Sequence, residues 1–204
     1  MTTDNIPNTE VVLTGTVETD LKFNHEVYGE GFYSFVIRVM RLSDISDLIN
    51  VTISERLLQD ISISRGDTVC VTGQFRSYNN YTENGNRLIV SAFAKEISLS
   101  EDGNHENDLE LFGTLCKDPV YRKTPLGREI CDLMLAINRR YGRSDYLPAI
   151  VWGQNARRAA ELNVGNTVNI LGRLQSREYI KLVDGIETVR TTYEVSVSAF
   201  EKVM

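Results

Sequence analysis

Hydrophobic and polar residues alternate along most of this chain in short runs, which is the pattern of β-strands. The segment TTYEVSVSAF places apolar side chains at every second position from Tyr193 to Ala199. The segment LELFGTL alternates around Gly113, and the long run NTVNILGRLQSREYIKL contains Gly172. Because successive side chains of a strand point to opposite faces, these segments predict strands with one buried face.

One segment in each half departs from this alternation. Residues 154–162, QNARRAAEL, are good helix formers, and Gly165 follows where a helix is expected to stop. Residues 54–61, SERLLQDI, take the same place in the first half. Each half is therefore predicted to contain three strands, a short helix and two strands, with Gly113 and Gly172 as bends in the second half.

This order of elements is the plan of the OB-fold, a small barrel of five strands. The predicted fold class is all-β, with two tandem OB-fold five-stranded barrels, each with a short helix between strands three and four. Members of this fold bind oligonucleotides, oligosaccharides or proteins. The fold by itself therefore does not decide the function.

A comparison of the two halves indicates a duplication. The segment GDTVCVTGQFRS at 66–77 and the segment GNTVNILGRLQS at 165–176 share five identical residues. SAFAKE at 91–96 matches SAFEKV at 198–203, and Gly-Thr at 15–16 matches Gly-Thr at 113–114. A repeat of about a hundred residues is too long for a solenoid unit and predicts a duplicated domain.

The domain boundary is predicted from a change in composition. The segment SLSEDGNHEN is polar and acidic, contains glycine and lacks apolar periodicity, so it predicts a linker at 98–107. The predicted organisation is a disordered tail at 1–8, a first OB domain at 9–97 and a second OB domain at 108–204.

Composition and motifs exclude several classes of function. The 204 residues contain no apolar run of the ~18 residues that a membrane helix needs. The polar start MTTDNIPNTE is unlike a signal peptide, which predicts a cytoplasmic protein that does not contact a membrane. The three cysteines and two histidines lack ligand spacing, so we expect no metal and no other cofactor. No enzyme motif is present, and we expect no catalysis.

Positive charge and aromatic rings gather in one stretch of this acidic chain. Residues 138–161, NRRYGRSDYLPAIVWGQNARRAAE, contain five arginines, two tyrosines and the only tryptophan. The chain has 22 Lys+Arg and 28 Asp+Glu, but residues 1–107 carry a net charge of −8 and residues 108–204 one of +2. The second domain is therefore the one whose charge suits an anionic partner.

The rings of this stretch are predicted to lie away from the core. Tyr146 and Trp152 are six residues apart on the predicted third strand and so share a face. Leu147, Ala149 and Val151 point to the other face, toward the core. Rings that only filled the core would share the face of these apolar residues. We therefore interpret the rings as part of a binding surface.

Single-stranded nucleic acid needs this combination of groups. An exposed ring stacks on a base of any sequence, and guanidinium groups neutralise phosphates. Arg139, Arg140 and Arg143 lie close enough to Tyr141 in the sequence to neutralise the phosphate of a base stacked on its ring. The two arginines of the predicted helix are equally consistent with solvated surface charges.

Four segments of the second half also carry a resemblance to a known family. They are GTLCKDPVYRKTPLG at 113–127, LAINRRY at 135–141, DYLPAIVWGQNA at 145–156 and GNTVNILGRLQSREY at 165–179. In this order, over nearly the whole half, they resemble the bacterial single-stranded DNA-binding protein family.

The resemblance implies a function and a set of residues. The implied function is sequence-independent binding and protection of single-stranded DNA in replication, recombination or repair. Four aromatic positions of the family stack on bases, with basic residues beside them. The corresponding residues here are Tyr141, Tyr146, Trp152, Tyr179, Arg139, Arg140, Arg143, Arg177 and Lys181.

The resemblance also bears on assembly and partners. Members with one OB unit usually form tetramers, so two units per chain imply a homodimer. The family's extension with an acidic tip, which recruits replication and repair enzymes, does not follow the last predicted strand before Met204. Replication or repair proteins are expected as partners of the first OB domain, whose acidic composition suits protein binding.

The first half departs from the family pattern. Its counterpart of the ring-bearing stretch, RVMRLSDISDLINVTISERLLQD, has no aromatic residue, and only Tyr78 and Tyr81 lie near the place of Tyr179. The hairpin between strands four and five spans 18 residues from Gly73 to Ser91 but 26 from Gly172 to Ser198. We therefore expect a degenerate ligand face on the first domain and a hairpin eight residues longer on the second. Binding by both domains is the alternative.

A second interpretation of the whole chain is a protein-binding adaptor of a replication or conjugation complex. The acidic first half suits that role, and the rings of the second half would then be interface hot spots.

Overall fold

The structure of the protein, a computed structural model, describes residues 9–82, 85–101, 103–139, 142–183 and 186–203. Within these ranges the chain forms twelve β-strands and one short helix, which confirms the all-β prediction. In chain order the elements are β1 Thr9–Val17, β2 Lys22–Val27, β3 Glu30–Met40, β4 Ser46–Ser54, β5 Thr68–Thr82, β6 Gly85–Leu99, β7 Glu106–Leu115, β8 Val120–Lys123, β9 Glu129–Asn138, β10 Ser144–Trp152, α1 Gln154–Ala159, β11 Thr167–Val183 and β12 Ile186–Val203.

Strand pairing closes a ring of five strands in each half. In the first half β1 pairs with β5, β5 with β6, β6 with β4, and β4 with β3, which returns to β1. In the second half the same order joins β7, β11, β12, β10 and β9, and β9 returns to β7. Outside the rings, the short strand β2 pairs with β3 and the short strand β8 pairs with β9. The number and order of the ring strands are those predicted for OB units.

The core lies inside each ring and is filled by alternate side chains of its strands. Phe35, Ile37 and Ile49 are almost fully buried in the first ring, as are Leu135 and Leu147 in the second. β-branched and other apolar side chains are favoured at such positions because they pack well on a pleated surface. The intervening side chains point away from the interior of the ring.

A glycine at equivalent positions allows one long strand of each ring to bend. The register of the β5–β6 pair shifts between Thr72 and Gly73, and that of the β11–β12 pair shifts between Leu171 and Gly172. A Cβ atom at Gly172 would lie 2.4 Å from the carbonyl oxygen of Ser196, so no larger residue fits this bulge. The prediction that Gly172 bends its strand is confirmed.

The helix is present in the second half and replaced by turns in the first. α1 buries two small residues, Ala156 and Ala159, against the core. At the equivalent place in the first half, the N–H groups of Leu57 and Leu58 bond carbonyls only three residues back, at 3.1 Å each. Both leucines pack against the core. Adjacent side chains of a regular α-helix point in different directions, so the tighter turns, bonded three residues back, suit this packing better.

The hairpin at the end of each ring is longer in the second half, but by less than predicted. Gly73 pairs with Ala94 and Gly172 pairs with Val197, so 21 and 25 residues separate the equivalent positions. The prediction of eight extra residues was wrong because strand pairing places SAFAKE and SAFEKV out of register with each other. The difference is four residues.

The two domains share one continuous sheet, because β1 of the first pairs antiparallel with β7 of the second. Val11 lies opposite Leu109, the same position of the equivalent strand. β6 extends to Leu99 and β7 begins at Glu106, so both strands reach into the segment predicted as a linker. The predicted tail at 1–8 lies outside the described residues.

Candidate nucleic-acid interface

The outer face of β10 presents the two rings that the alternation predicts. The side chain of Tyr146 is 45% exposed and that of Trp152 is half-buried. Leu147, Ala149 and Val151 alternate with them and are buried in the core. Strand geometry has thus placed the rings and the core residues on opposite faces, as expected.

The indole of Trp152 is held in place by its neighbours. Its Nε1–H donates a hydrogen bond of 3.2 Å to the hydroxyl of Ser196 on β12. Ile130 lies opposite Trp152 on β9, and Ile150 is buried two residues before it. A ring fixed in this way loses little conformational freedom when a base stacks on it. Ser196 has no signal in the sequence, because the pairing of β10 with β12 alone brings it here.

Trp152, Ile150 and Ile130 form an apolar strip on this face, and two arginines and two carboxylates lie around it. Arg122 of β8 binds Asp132 of β9, with 2.6 Å between Nε and Oδ2. Arg177 of β11 lies 4.0 Å from the largely buried Glu194 of β12. Burial raises the pKa of Glu194, the neighbouring Asp132 raises it further, and Arg177 opposes the shift. Arg122 and the two carboxylates were not predicted as site residues, although the alternation of CDLMLAI places Asp132 on this face.

The predicted basic residues near the start of β10 differ in their surroundings. Arg139 is 31% exposed, and its Nε lies 3.1 Å from the buried carboxylate of Asp145. That Nε has no aligned hydrogen bond, so the contact is an ion pair without further directional support. Arg143 is exposed, and its carbonyl accepts a 2.7 Å hydrogen bond from the N–H of Arg139. Arg177 is 56% exposed and remains available to an anion.

Four predicted residues are not placed by the structure. Arg140 and Tyr141 lie outside the described residues, and so do the side chains of Tyr179 and Lys181, whose backbones belong to β11. Their assignment to the binding surface stays a prediction.

The first arginine of the helix has a structural contact. Arg157 donates two hydrogen bonds of 2.8 Å to the carboxylate of Glu129, which also accepts one from the hydroxyl of Tyr121. These bonds lower the pKa of Glu129. Arg158 lies over the ring of Phe200, at 5.3 Å from its centroid. Both are less available to a phosphate than Arg143 or Arg177.

In the described part of the chain, no group of three or more histidine, cysteine or acidic side chains could hold a metal ion. Among the described helices, none has the length and apolar character needed to cross a membrane.

These features define a class of protein: two tandem OB units, the second with an aromatic and basic outer face. Residues 106–203 match the sequence profile of the Single-strand binding protein family. The resemblance of the second half to this family is therefore confirmed.

Curated relatives match over a limited part of the chain. Single-stranded DNA-binding protein 2 of Listeria innocua is 35% identical over 80 residues, 36% of this chain and 50% of that protein. Single-stranded DNA-binding protein A of Bacillus subtilis is 34% identical over 80 residues, 36% of this chain and 46% of that protein. The chain thus spans about half the length of the curated relatives it matches.

Solved structures match over a longer range. The wild-type single-stranded DNA binding protein from Thermus aquaticus superposes with a TM-score of 0.78 at 21% identity, covering 96% of this chain and 93% of that one. The N-terminal domain of PriB protein from Thermoanaerobacter tencongensis, solved as a dimer, is 41% identical with a TM-score of 0.42, covering 47% of this chain and 99% of that one. The Thermus match extends over both halves and confirms the fold class.

Proposed function

We propose that the protein binds single-stranded DNA without sequence preference through the outer face of β10, and that it protects the strand during replication, recombination or repair. The observation that carries the proposal is the pair of outward rings, Tyr146 and Trp152, with Arg143 and Arg177 exposed near the same face. The family of the second half and the names of its relatives support DNA as the ligand.

The arrangement explains why binding would not depend on sequence. Each base offers a π-face to a ring, and each stack contributes ~1–3 kcal/mol. The arginines act on the phosphates, which are the same for every nucleotide. The partly buried Asp132 and the largely buried Glu194 reduce the net positive charge of the face, so we propose that stacking contributes more here than charge does.

The test replaces each ring by a leucine, which keeps an apolar side chain but removes the π-face. Tyr146→Leu and Trp152→Leu should each weaken the binding of a fluorescently labelled oligothymidylate by ~1–3 kcal/mol, measured by anisotropy. Binding to labelled oligomers of other bases should weaken similarly. The unchanged melting temperature of each variant would show that the fold is intact.

Phe112→Leu is the matched control, because Phe112 is also an exposed ring, 40% accessible, but lies on β7. Its affinity should equal that of the original protein, because β7 lies outside the face of β10 and leucine keeps an apolar side chain on the sheet face through which two chains could associate. If the double variant at Tyr146 and Trp152 bound DNA as tightly as the control, the face of β10 would not be the DNA site, and an adaptor that binds proteins would become the better interpretation.

Further parts of the proposal concern assembly, location and chemistry. The two OB units of one chain correspond to half of a four-unit assembly, so we propose a homodimer. A cytoplasmic location fits the three free cysteines, Cys70, Cys116 and Cys131. We propose binding without catalysis, with replication or repair proteins as partners of the first domain.

A further inference from the structure

The outer face of the first domain contains rings that the sequence of its third strand does not predict. Leu48 and Ser54 of β4 occupy the positions that Tyr146 and Trp152 occupy on β10. The absence of rings on β4 is therefore as expected. However, side chains from β2, β3, β5 and β6 come together on this same outer face.

These side chains form a continuous row, which we call the first-domain row: His25, Phe32, Phe93 and Arg76. The rings of His25 and Phe32 are stacked, with centroids 4.9 Å apart and planes 8° from parallel. The rings of Phe32 and Phe93 follow at 5.7 Å and 39°. The guanidinium carbon of Arg76 lies 3.7 Å above the centroid of Phe93.

The row is contiguous with the face of β10. Ser77, the residue after Arg76, accepts a 2.7 Å hydrogen bond from the backbone N–H of Tyr146. Arg76 also lies close to Arg139; burial lowers the pKa of Arg76, and repulsion by Arg139 lowers it further. One buried carboxylate, that of Asp145, lies close to both arginines. The two arginines and one carboxylate give this junction a net positive charge between the two sets of rings.

We propose that the first-domain row is a second base-stacking platform, onto which a DNA strand continues after it crosses the junction from Tyr146. The proposal rests on the proposed function of the β10 face. Phe93 receives one base when Arg76, which lies over its ring, moves to a phosphate, and the exposed ring of His25, supported by Phe32, receives another. This assigns DNA contacts to a domain whose ligand face the sequence predicts to be degenerate.

The charge along the row favours entry at the Arg76 end. At the far end Glu30 accepts a hydrogen bond from Ser54 and pairs with Arg56 at 2.9 Å. His25 contacts the side-chain oxygen of Asn24 at 2.9 Å. The carboxylate of Glu55 lies beside Gly31 at the same end, so the acidic charge there exceeds the basic charge. Phosphate contacts are therefore concentrated at the junction, which is also where the β10 face ends.

The experiment measures affinity against oligomer length in the full chain. Because one OB unit covers about 4–16 nucleotides, we would compare oligothymidylates from about 6 to about 30 nucleotides. Short oligomers occupy the β10 face alone, and their binding is followed by the fluorescence of Trp152, the only tryptophan. Long oligomers span both platforms. The variant is the double replacement Phe32→Leu and Phe93→Leu, with Phe112→Leu as control.

The double variant should bind short oligomers like the original protein and long oligomers at least about fivefold more weakly, the effect of losing a single weak stack. Equal affinity for long oligomers would overturn the inference and leave the proposed function intact, and the row would then serve only to pack the β2–β3 hairpin. Failure of the original protein to bind any oligomer would overturn both. If the affinity for long oligomers fell in the Phe32 and Phe93 double variant but not in the variants at Tyr146 and Trp152, the result would support the row as a DNA site and overturn the β10 face as one.

A second variant keeps the test decisive if the double replacement does not fold. Arg76→Gln introduces the residue that the second domain has at the equivalent position, Gln175. It should weaken binding of long oligomers only, and should flatten their log–log salt dependence by ~0.7, the share of one phosphate contact on single strands. An unchanged salt slope together with unchanged long-oligomer affinity would contradict the role of Arg76.

Discussion

The buried carboxylate of Asp47 in the first domain accepts a hydrogen bond of 2.8 Å from the backbone N–H of Ser176 in the second. The same contact occurs in reverse, since Asp145 of the second domain accepts a hydrogen bond of 2.7 Å from the backbone N–H of Ser77 in the first. β1 and β7 also pair at equivalent positions. The duplication has thus placed a two-fold type of interface inside one chain.

The first prediction concerns the stability of this interface. Asp47→Ala removes the acceptor of Ser176 and the partner of Arg41, which binds Asp47 through two nitrogens. Because the carboxylate is fully buried, loss of one partner should lower the free energy of unfolding by ~3–5 kcal/mol, measured by urea denaturation. Asp47→Asn keeps an acceptor oxygen and should cost less.

Glu10→Gln is the control for this experiment, because Glu10 is an exposed carboxylate on β1. It should change stability by no more than ~0.5 kcal/mol. An effect of Asp47→Ala as small as that of the control would show that the hydrogen bonds across the domains contribute little.

The second prediction concerns pH and Glu194. Its pKa is raised by burial, so the carboxyl takes up a proton at a pH above the ordinary value of 4.5. The folded state favours the protonated form, and a DNA phosphate nearby favours it further. Affinity for oligothymidylate should therefore increase as the pH falls toward this range, and the stability that protonation contributes should be lost as the pH rises through it.

Glu194→Gln should bind DNA more tightly than the original protein at pH 7 and should show a weaker pH dependence above the ordinary carboxyl pKa of 4.5. Glu201→Gln, at an exposed position of the same strand, is the control and should keep the original profile. Identical pH profiles for the original protein and Glu194→Gln would exclude Glu194 as the titrating group.

The third prediction concerns the bulge at Gly172. In Gly172→Ala the new Cβ would lie 2.4 Å from the carbonyl oxygen of Ser196, so β11 or β12 must shift. Overpacking of this kind should cost ~1–3 kcal/mol of stability. It should also disturb the hydrogen bond from Trp152 to Ser196 and change the tryptophan emission. Gly113→Ala, whose nearest neighbours would lie at 3.3 Å, should have smaller effects on both measurements.

The fourth prediction concerns the proposed homodimer. The outer face of the central sheet has exposed Leu171 and Phe112, but also the exposed acids Glu10, Asp108 and Glu110. If two chains associate through this face, like charges oppose each other, and salt should strengthen the dimer by screening them. Sedimentation velocity in ~0.05 and ~0.5 M salt tests this. A Leu171→Glu variant should be monomeric, and a dimer that weakens with salt would place the interface elsewhere.

The sequence was sufficient for the strand order and for the rings of the second domain. The alternation around Tyr146 and Trp152 has one interpretation on a strand, because the side-chain period is two. The glycine at 172 was also correctly assigned to a bend. The turns that stand in place of the predicted helix of the first half were not predictable in this way, because Leu57 and Leu58 are good helix formers whose packing against the core favours turns.

By itself, the sequence determined the fold class, the duplication and which outer face of the second domain carries rings, since these depend on local periodicity and on order along the chain. Tertiary structure alone decided which residues from different strands meet. It brought Asp132 and Glu194 beside the apolar strip of β10, and it assembled the row from His25 to Arg76 out of four strands. The physical reason is that strand pairing fixes neighbours far apart in sequence, and no local pattern encodes that register.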